Sequence, residues 1–268
     1  MTLVMGVLNV TPDSFSDGGR WDRTATAVQH AIDLHAQGAD LIDVGGESTR
    51  PGADRVSPAD EQARVLPVLR ELTRLGLVTS VDTLNAETAE RAAEAGASII
   101  NDVSGGLADP DMAAVAARTG LTYIAMHWRG HARTMNALAV YDDVVADVVT
   151  ELTERVRLLE AAGVDRAKIV LDPGLGFSKD AEHNWRLLAR LDAVTALGLP
   201  VMVGASRKRF LATVLPESAD ITDRDLPTAV VSVLAAQAGA WAVRVHDVAG
   251  TRTALNVLAR VDSARIGL

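Results

Sequence analysis

GADLIDVGGESTRPGA, residues 38–53, reads as one copy of a repeating unit. Gly38 closes a helical stretch, an apolar run follows at 40–44 with Asp43 at its polar end, and glycine, hydroxyl and arginine residues fill the segment beyond. The same order recurs along the chain. Eight apolar, β-branched-rich runs lie near 3–8, 40–44, 77–82, 98–101, 121–126, 168–171, 200–204 and 241–245. They stop on Asn9, Asp43, Asp82, Asn101, His127, Asp172, Ser206 and the pair Arg244/His246. Strands alternating with helical segments predict a parallel sheet. A barrel of eight parallel strands builds its active site from the C-terminal strand ends and the loops after them. The expected fold is therefore α/β: a single (β/α)8 TIM barrel over residues 1–268, close to the roughly 250 residues typical of one such domain.

The glycines fall into two groups. Gly38, Gly76, Gly96, Gly120, Gly163, Gly198 and Gly239 each follow a helical segment and precede a strand, where a left-handed cap is wanted. A second group, Gly18, Gly19, Gly45, Gly46, Gly52, Gly105, Gly106, Gly130, Gly174, Gly176, Gly204 and Gly250, follows strands, on the opposite rim. The segment at 58–75 illustrates the helices: Ser57 as cap, Pro58 at the first position, Asp60 at capping-box spacing, and a stripe of Leu66, Leu69, Leu72 and Leu75. The connection after strand seven breaks the repeat, with helical pieces expected at 206–215 and 225–238.

Composition narrows the function classes. Of 268 residues, 48% are hydrophobic but only 3% aromatic, so aliphatic side chains must fill the core. A formal net charge of −9 argues against nucleic acid or an anionic membrane as partner. No run reaches the roughly 18 apolar residues of a membrane span. MTLVMGVLNV lacks the basic start of a signal peptide, so a cytoplasmic protein is expected. The absence of cysteine excludes disulfides, thiolate catalysis and Cys-type metal sites.

The chemistry-bearing segments follow the strands. NVTPDSFSDGG (9–19) is a long polar loop after Asn9, a residue able to hold an anion or a hydrated metal. DVGGESTRPGA (43–53) joins Arg50 to hydroxyls and glycines. SVDT, INDVSGG and LDPGLGF direct Asp82, Asn101 and Asp172 toward the barrel axis, as acceptors and donors for a flat heterocycle with several N–H groups. GASRKRF (204–210) places Arg207, Lys208 and Arg209 at a predicted helix start, where free N–H groups attract anions. Lysine occurs only at 168, 179 and 208, which singles out Lys208. Arg244 and His246 share a strand face and, beside Asn9 across the barrel, outline a diphosphate site. His127 and His131 have a metal-like spacing but straddle a strand end and a loop, and His127 has no assigned role.

Taken together and in order, these motifs resemble the dihydropteroate synthases of bacterial folate synthesis over residues 9–248. The resemblance implies a pterin-binding barrel that joins p-aminobenzoate to (7,8-dihydropterin-6-yl)methyl diphosphate with Mg2+ and releases diphosphate, as a homodimer packed through its later helices. It implies that Asp82, Asn101, Asp172, Gly176, Phe177 and Lys208 bind the pterin. Asn9, Arg50, Arg244 and His246 would hold the diphosphate, with Asn9 on the metal. Phe15, Thr49, Pro51, Ser206 and Lys208 would line the p-aminobenzoate pocket, and Asp17 would order the closed first loop. Lys208, Asp82, Asp17 and Arg244 would carry the catalytic roles. The chain starts almost directly at strand one, without the N-terminal extension common in that family. Two alternatives are a methyltetrahydrofolate-type methyltransferase, which needs no diphosphate clamp, and a noncatalytic pterin-binding paralogue.

Overall fold

A computed structural model describes residues 1–11, 20–47, 56–131 and 134–266. Eight parallel strands run in the order β6-β5-β4-β3-β2-β1-β8-β7: β1 (Leu3–Asn9), β2 (Leu41–Gly45), β3 (Thr79–Asp82), β4 (Ile99–Asp102), β5 (Thr122–Met126), β6 (Ile169–Asp172), β7 (Met202–Val203) and β8 (Ala242–Val245). An isolated parallel bridge between Leu171 and Val201 joins the two ends of the sheet into a barrel. Helices α1 (Arg20–Ala36), α2 (Pro58–Arg74), α3 (Ala86–Glu94), α4 (Met112–Thr119), α5 (Val144–Ala161), α6 (Ala181–Ala189), α7 (Leu191–Thr195), α8 (Asp225–Gln237) and α9 (Val248–Ile266) surround it. No helix among the described residues is long and apolar enough to cross a membrane.

Register decides which side chains meet inside. Met5 pairs with Leu41, Ser80 with Ile99, Tyr123 with Ile169, and Met202 with Ala242. Because side chains alternate across a strand, every second residue shares a face. Met5, Leu41, Ile99, Ile124, Val170, Met202 and Ala242 form one buried apolar cluster that plugs the interior. Two residues further along the strands, the same inward parity delivers Asp43, Asp82, Asn101, Asp172 and Arg244. An apolar plug under a layer of ionisable groups is thus a direct product of the two-residue repeat. A second, larger cluster fills the space between barrel and helices.

The local expectations are met with informative exceptions. All seven glycines assigned to helix ends have positive φ, as their caps require. Helix α2 starts at Pro58 behind a Ser57 cap, whose Oγ accepts from the Asp60 amide at 3.2 Å. The Asp60 carboxylate takes the Ser57 hydroxyl hydrogen at 2.6 Å rather than the cap's own N–H. Leu75 is the cap residue beyond α2 and is 41% exposed, so it falls off the predicted stripe. The piece predicted at 206–215 is a short 3-10 helix, Arg209–Val214. Arg207 has φ +56 and Lys208 is extended, so no helix can begin before 209. Leu215 is extended ahead of Pro216, the conformation a following proline favours, and this ends the piece.

Candidate functional site

The polar layer above the plug is organised by one guanidinium. Arg244 Nε donates to Asp43 Oδ2 at 2.6 Å, and its Nη2 donates to Asp82 Oδ2 at 2.7 Å. Asn101 Nδ2 donates to the same Asp43 oxygen at 3.0 Å. Asp43 is fully buried and its Oδ1 has no hydrogen-bond partner. One carboxylate therefore ties strands two, four and eight together across the barrel.

Asp172 completes the layer from β6. Its Oδ1 accepts from the Gly174 amide at 2.7 Å. Gly204 opens the space beside it: a Cβ there would lie 3.6 Å from Asp172 Oδ2, 3.8 Å from Lys208 Nζ and 3.9 Å from Arg244 Cβ. Lys208 crosses Gly176, where a Cβ would stand 2.9 Å from its Cδ, and its ammonium donates to the Leu175 carbonyl. The same ammonium sits 4.7 Å from the centre of the Phe177 ring, within cation–π range. Asn9 reaches the layer over Gly45, whose hypothetical Cβ would be 3.5 Å from Asp82 Cβ and 3.8 Å from Asn9 Oδ1. On the far side, Ser206 Oγ accepts from the His246 amide at 3.0 Å and bonds the ring Nδ1 at 2.9 Å.

Charge balance shifts these groups. Burial pushes Asp82 up to about 7; Arg244 opposes the rise, but it is shared with Asp43, whose carboxylate repels Asp82. Asp172 is raised by burial too, with Lys208 resisting. Burial draws Lys208 down to about 8 despite Asp172 beside it. Burial alone would lower Arg244, yet Asp43 and Asp82 outweigh it and hold the guanidinium charged. Such a floor suits a neutral heterocycle that donates several hydrogens to acceptors and takes one cation at a carbonyl. Wrong ligands leave buried polar groups unpaired, the condition that discriminates most strongly.

The structure thus gathers Asn9, Asp82, Asn101, Asp172, Gly176, Phe177, Lys208, Ser206, Arg244 and His246 at one mouth. Phe15, Asp17, Thr49, Arg50 and Pro51 lie outside the described residues. The expected cationic helix start at 207–209 is corrected: Arg207 pairs with Asp225 at 2.7 and 2.8 Å, and Arg209 is exposed. Of those three cations, Lys208 alone enters the site. His127 is not a metal ligand with His131. Its Nδ1 meets Lys179, its Nε2 meets Glu151, and His131 packs edge-on against Trp128. Sequence reasoning gave no role to Asp43, although its place at a strand end marked it. It missed Glu61 altogether, a helix residue 1% exposed that accepts from Thr83 Oγ1 at 3.0 Å and Asn85 Nδ2 at 2.8 Å just beyond β3. The absence of an apolar residue from the buried face of α2 was the available signal.

Comparison with known proteins points to one family. The family described as pterin binding enzyme matches residues 5–246. The dihydropteroate synthase of Mycobacterium leprae (strain TN) is 49% identical over 264 residues, covering 95% of this chain and 92% of its own. A solved Xanthomonas albilineans dihydropteroate synthase with 4-aminobenzoic acid superposes with a TM-score of 0.90 at 42% identity, covering 97% of this chain and 93% of its own. The Clostridium difficile enzyme determined in the presence of pteroic acid gives 0.91 at 39% identity, covering 97% and 96%.

Replacing Asp43 tests the hub directly. Asp43→Ala strips an acceptor from both Arg244 and Asn101 and is expected to destabilise the fold by about 3 kcal/mol, as loss of one partner of a buried ion pair does. It should also lower the Asp82 titration, because Arg244 is then undivided. A carboxyl titration by 13C NMR that finds Asp82 unmoved would refute the sharing.

Proposed function

The chain belongs to the pterin-binding enzymes, and within them to the dihydropteroate synthase family, and from this we propose that it condenses (7,8-dihydropterin-6-yl)methyl diphosphate with p-aminobenzoate, giving 7,8-dihydropteroate and diphosphate. The observation that carries the reading is the inward layer of Asp82, Asn101 and Asp172 with Lys208 and Arg244 beside it. We take residues 1–268 as a single domain with this activity.

The residues divide by what they offer. Asp82, Asn101 and Asp172 pair the pterin's N–H and ring nitrogen groups, Lys208 donates to its carbonyl, and Gly176 and Phe177 shape the slot. Asn9, Arg244 and His246, with Arg50, hold the diphosphate. Ser206 and Lys208, with Phe15, Thr49 and Pro51, surround p-aminobenzoate, and Asp17 orders the first loop. The bond from the methylene carbon to the diphosphate oxygen breaks with its electron pair going to diphosphate. The electron-rich pterin steadies the cationic carbon, the aniline nitrogen then bonds to it, and the aniline proton passes to solvent. Such an SN1-like substitution needs charge stabilisation and positioning rather than a covalent nucleophile. Asp82 steadies the pterin as it becomes cationic, Lys208 holds its carbonyl in place, and Arg244 receives the charge on the departing oxygen.

Mg2+ fits the donor set as an ion brought by the diphosphate. Asn9 offers one neutral amide oxygen, and among the described residues no group of three His, Asp or Glu side chains is placed to hold a metal ion. Magnesium commonly keeps several waters and binds through few protein ligands plus phosphate oxygens. When bound, it would neutralise part of the leaving group's charge.

A homodimer is part of the proposal. Leu226, Val230 and Leu234 recur every four residues on α8 and are 74%, 53% and 54% exposed, and Val257 and Val261 of the adjacent α9 are exposed too. Exposed apolar stripes of this kind mark interfaces, and a two-fold axis pairs the same patch on both copies. We also place the enzyme in the cytoplasm, since both substrates are anions that cross lipid poorly.

Three measurements test the proposal. Purified protein with Mg2+ should release diphosphate from the pterin substrate only when p-aminobenzoate is added, with a sulfonamide competing; folded protein that makes no dihydropteroate sinks the reading. Affinity for the pterin should rise as Asp82 ionises through about 7 and fall as Lys208 loses its proton from about 8. Lys208→Met should remove the part of the alkaline limb centred near 8, and an unchanged profile contradicts the assignment. Sedimentation equilibrium should give a dimer that Val230→Glu dissociates; a monomeric wild type would exclude this interface.

A further inference from the structure

The segment 174–177 that follows Asp172 is held from two sides by lysines. Lys208 reaches the Leu175 carbonyl from the mouth. Behind it, Lys179, 7% exposed, places Nζ 3.1 Å from the Gly174 carbonyl, 3.1 Å from the Phe177 carbonyl and 2.8 Å from His127 Nδ1. These are three acceptors for the three hydrogens of one ammonium.

The direction of each bond follows from the outer end of the chain. Arg129 donates through Nε and Nη2 to Glu151, and burial, which would raise this carboxyl, is outweighed by His127 and Arg129, so that it is held down at about 2. Glu151 can then only accept, so His127 Nε2, 3.0 Å away, carries the ring proton. Burial and Lys179 pull His127 down to about 4, which leaves the ring neutral and Nδ1 a bare acceptor. Lys179 must donate to it.

The backbone shows why the support is needed. Gly174 and Gly176 have φ of +68 and +79, and Ser178, a residue with a side chain, has φ +49. A Cβ on Gly174 would stand 2.3 Å from the His127 carbonyl, so the segment lies flush on the end of β5. Further ties are the Gly176 amide to Asn184 Oδ1 at 2.6 Å and Tyr141 Oη to the Ser178 carbonyl at 2.9 Å. Lys179 joins the two ends of the turn between them.

We propose that Lys179 is a positioning residue for the heterocycle slot: oriented by His127, its ammonium fixes the Gly174 and Phe177 carbonyls and so the shape of 174–177. Lys208 is thereby released from structural duty. It can leave the Leu175 carbonyl for a ligand while the slot keeps its form. The inference rests on the pterin lying against Asp172, Gly176 and Phe177.

The test uses the full chain and pterin-6-carboxylic acid as probe, titrated by calorimetry, alongside steady-state kinetics. Lys179→Met is expected to weaken the probe and raise KM for the pterin diphosphate by about tenfold or more, the scale of a small misplacement in a site. KM for p-aminobenzoate should stay within about twofold, a split that general loss of structure would not give. His127→Leu should act likewise, whereas His127→Asn, which retains an acceptor for Lys179, should restore most of the affinity. If Lys179→Met does not fold, the two His127 variants decide. Asp172→Asn separates the layers of the argument: if it leaves probe binding intact, the pterin site itself is misplaced. If it weakens the probe while Lys179→Met does not, or if His127→Asn behaves as His127→Leu, Lys179 has no positioning role.

Discussion

A single buried guanidinium between two aspartates sets the terms for the rest of the barrel mouth. Arg244 cannot give up its proton, so the two carboxylates it serves cannot both be matched by it. Asp43, wholly enclosed, keeps the Nε bond and orients the fork. Asp82, nearer the opening, holds the remaining bond and is the carboxyl pushed toward neutrality. The excess of acid over base makes the layer receptive to a ligand that donates hydrogens. Neighbouring loops and helices then serve to hold each member of this layer at its height.

Much of this was legible from residue order. The two-residue repeat of the strands and the polar residue at each end fix which side chains face inward, and β1, β2, β4, β5, β6 and β8 begin and end within one residue of their expected bounds. Lys208 was marked by the scarcity of lysine, and Asp82, Asn101 and Asp172 by shared position. What local sequence could not reveal was pairing at long range. Asp43 meets Arg244 across 201 residues and His127 meets Lys179 across 52, so neither bond leaves a trace in spacing. The 206–215 stretch misled for a different reason: its residues favour a helix, but Arg207, paired with Asp225, stands in a left-handed turn that no propensity records.

The two lysines of the β6 connection show how similar groups acquire different duties. Both are buried and near Asp172, and burial depresses both, to about 7 for Lys179 and about 8 for Lys208. Lys179 has every hydrogen committed to the protein. Lys208 donates to one carbonyl and lies over an aromatic face at the open side. Satisfaction of hydrogen bonds, rather than charge or depth, separates the group that builds the slot from the group that can turn to a ligand.

The aliphatic plug of Met5, Leu41, Ile99, Ile124, Val170, Met202 and Ala242 has a consequence for traffic. It makes the barrel a blind alley, so reactants and products pass through one doorway. Whatever settles deepest is penned in by whatever enters after it, and nothing departs from below.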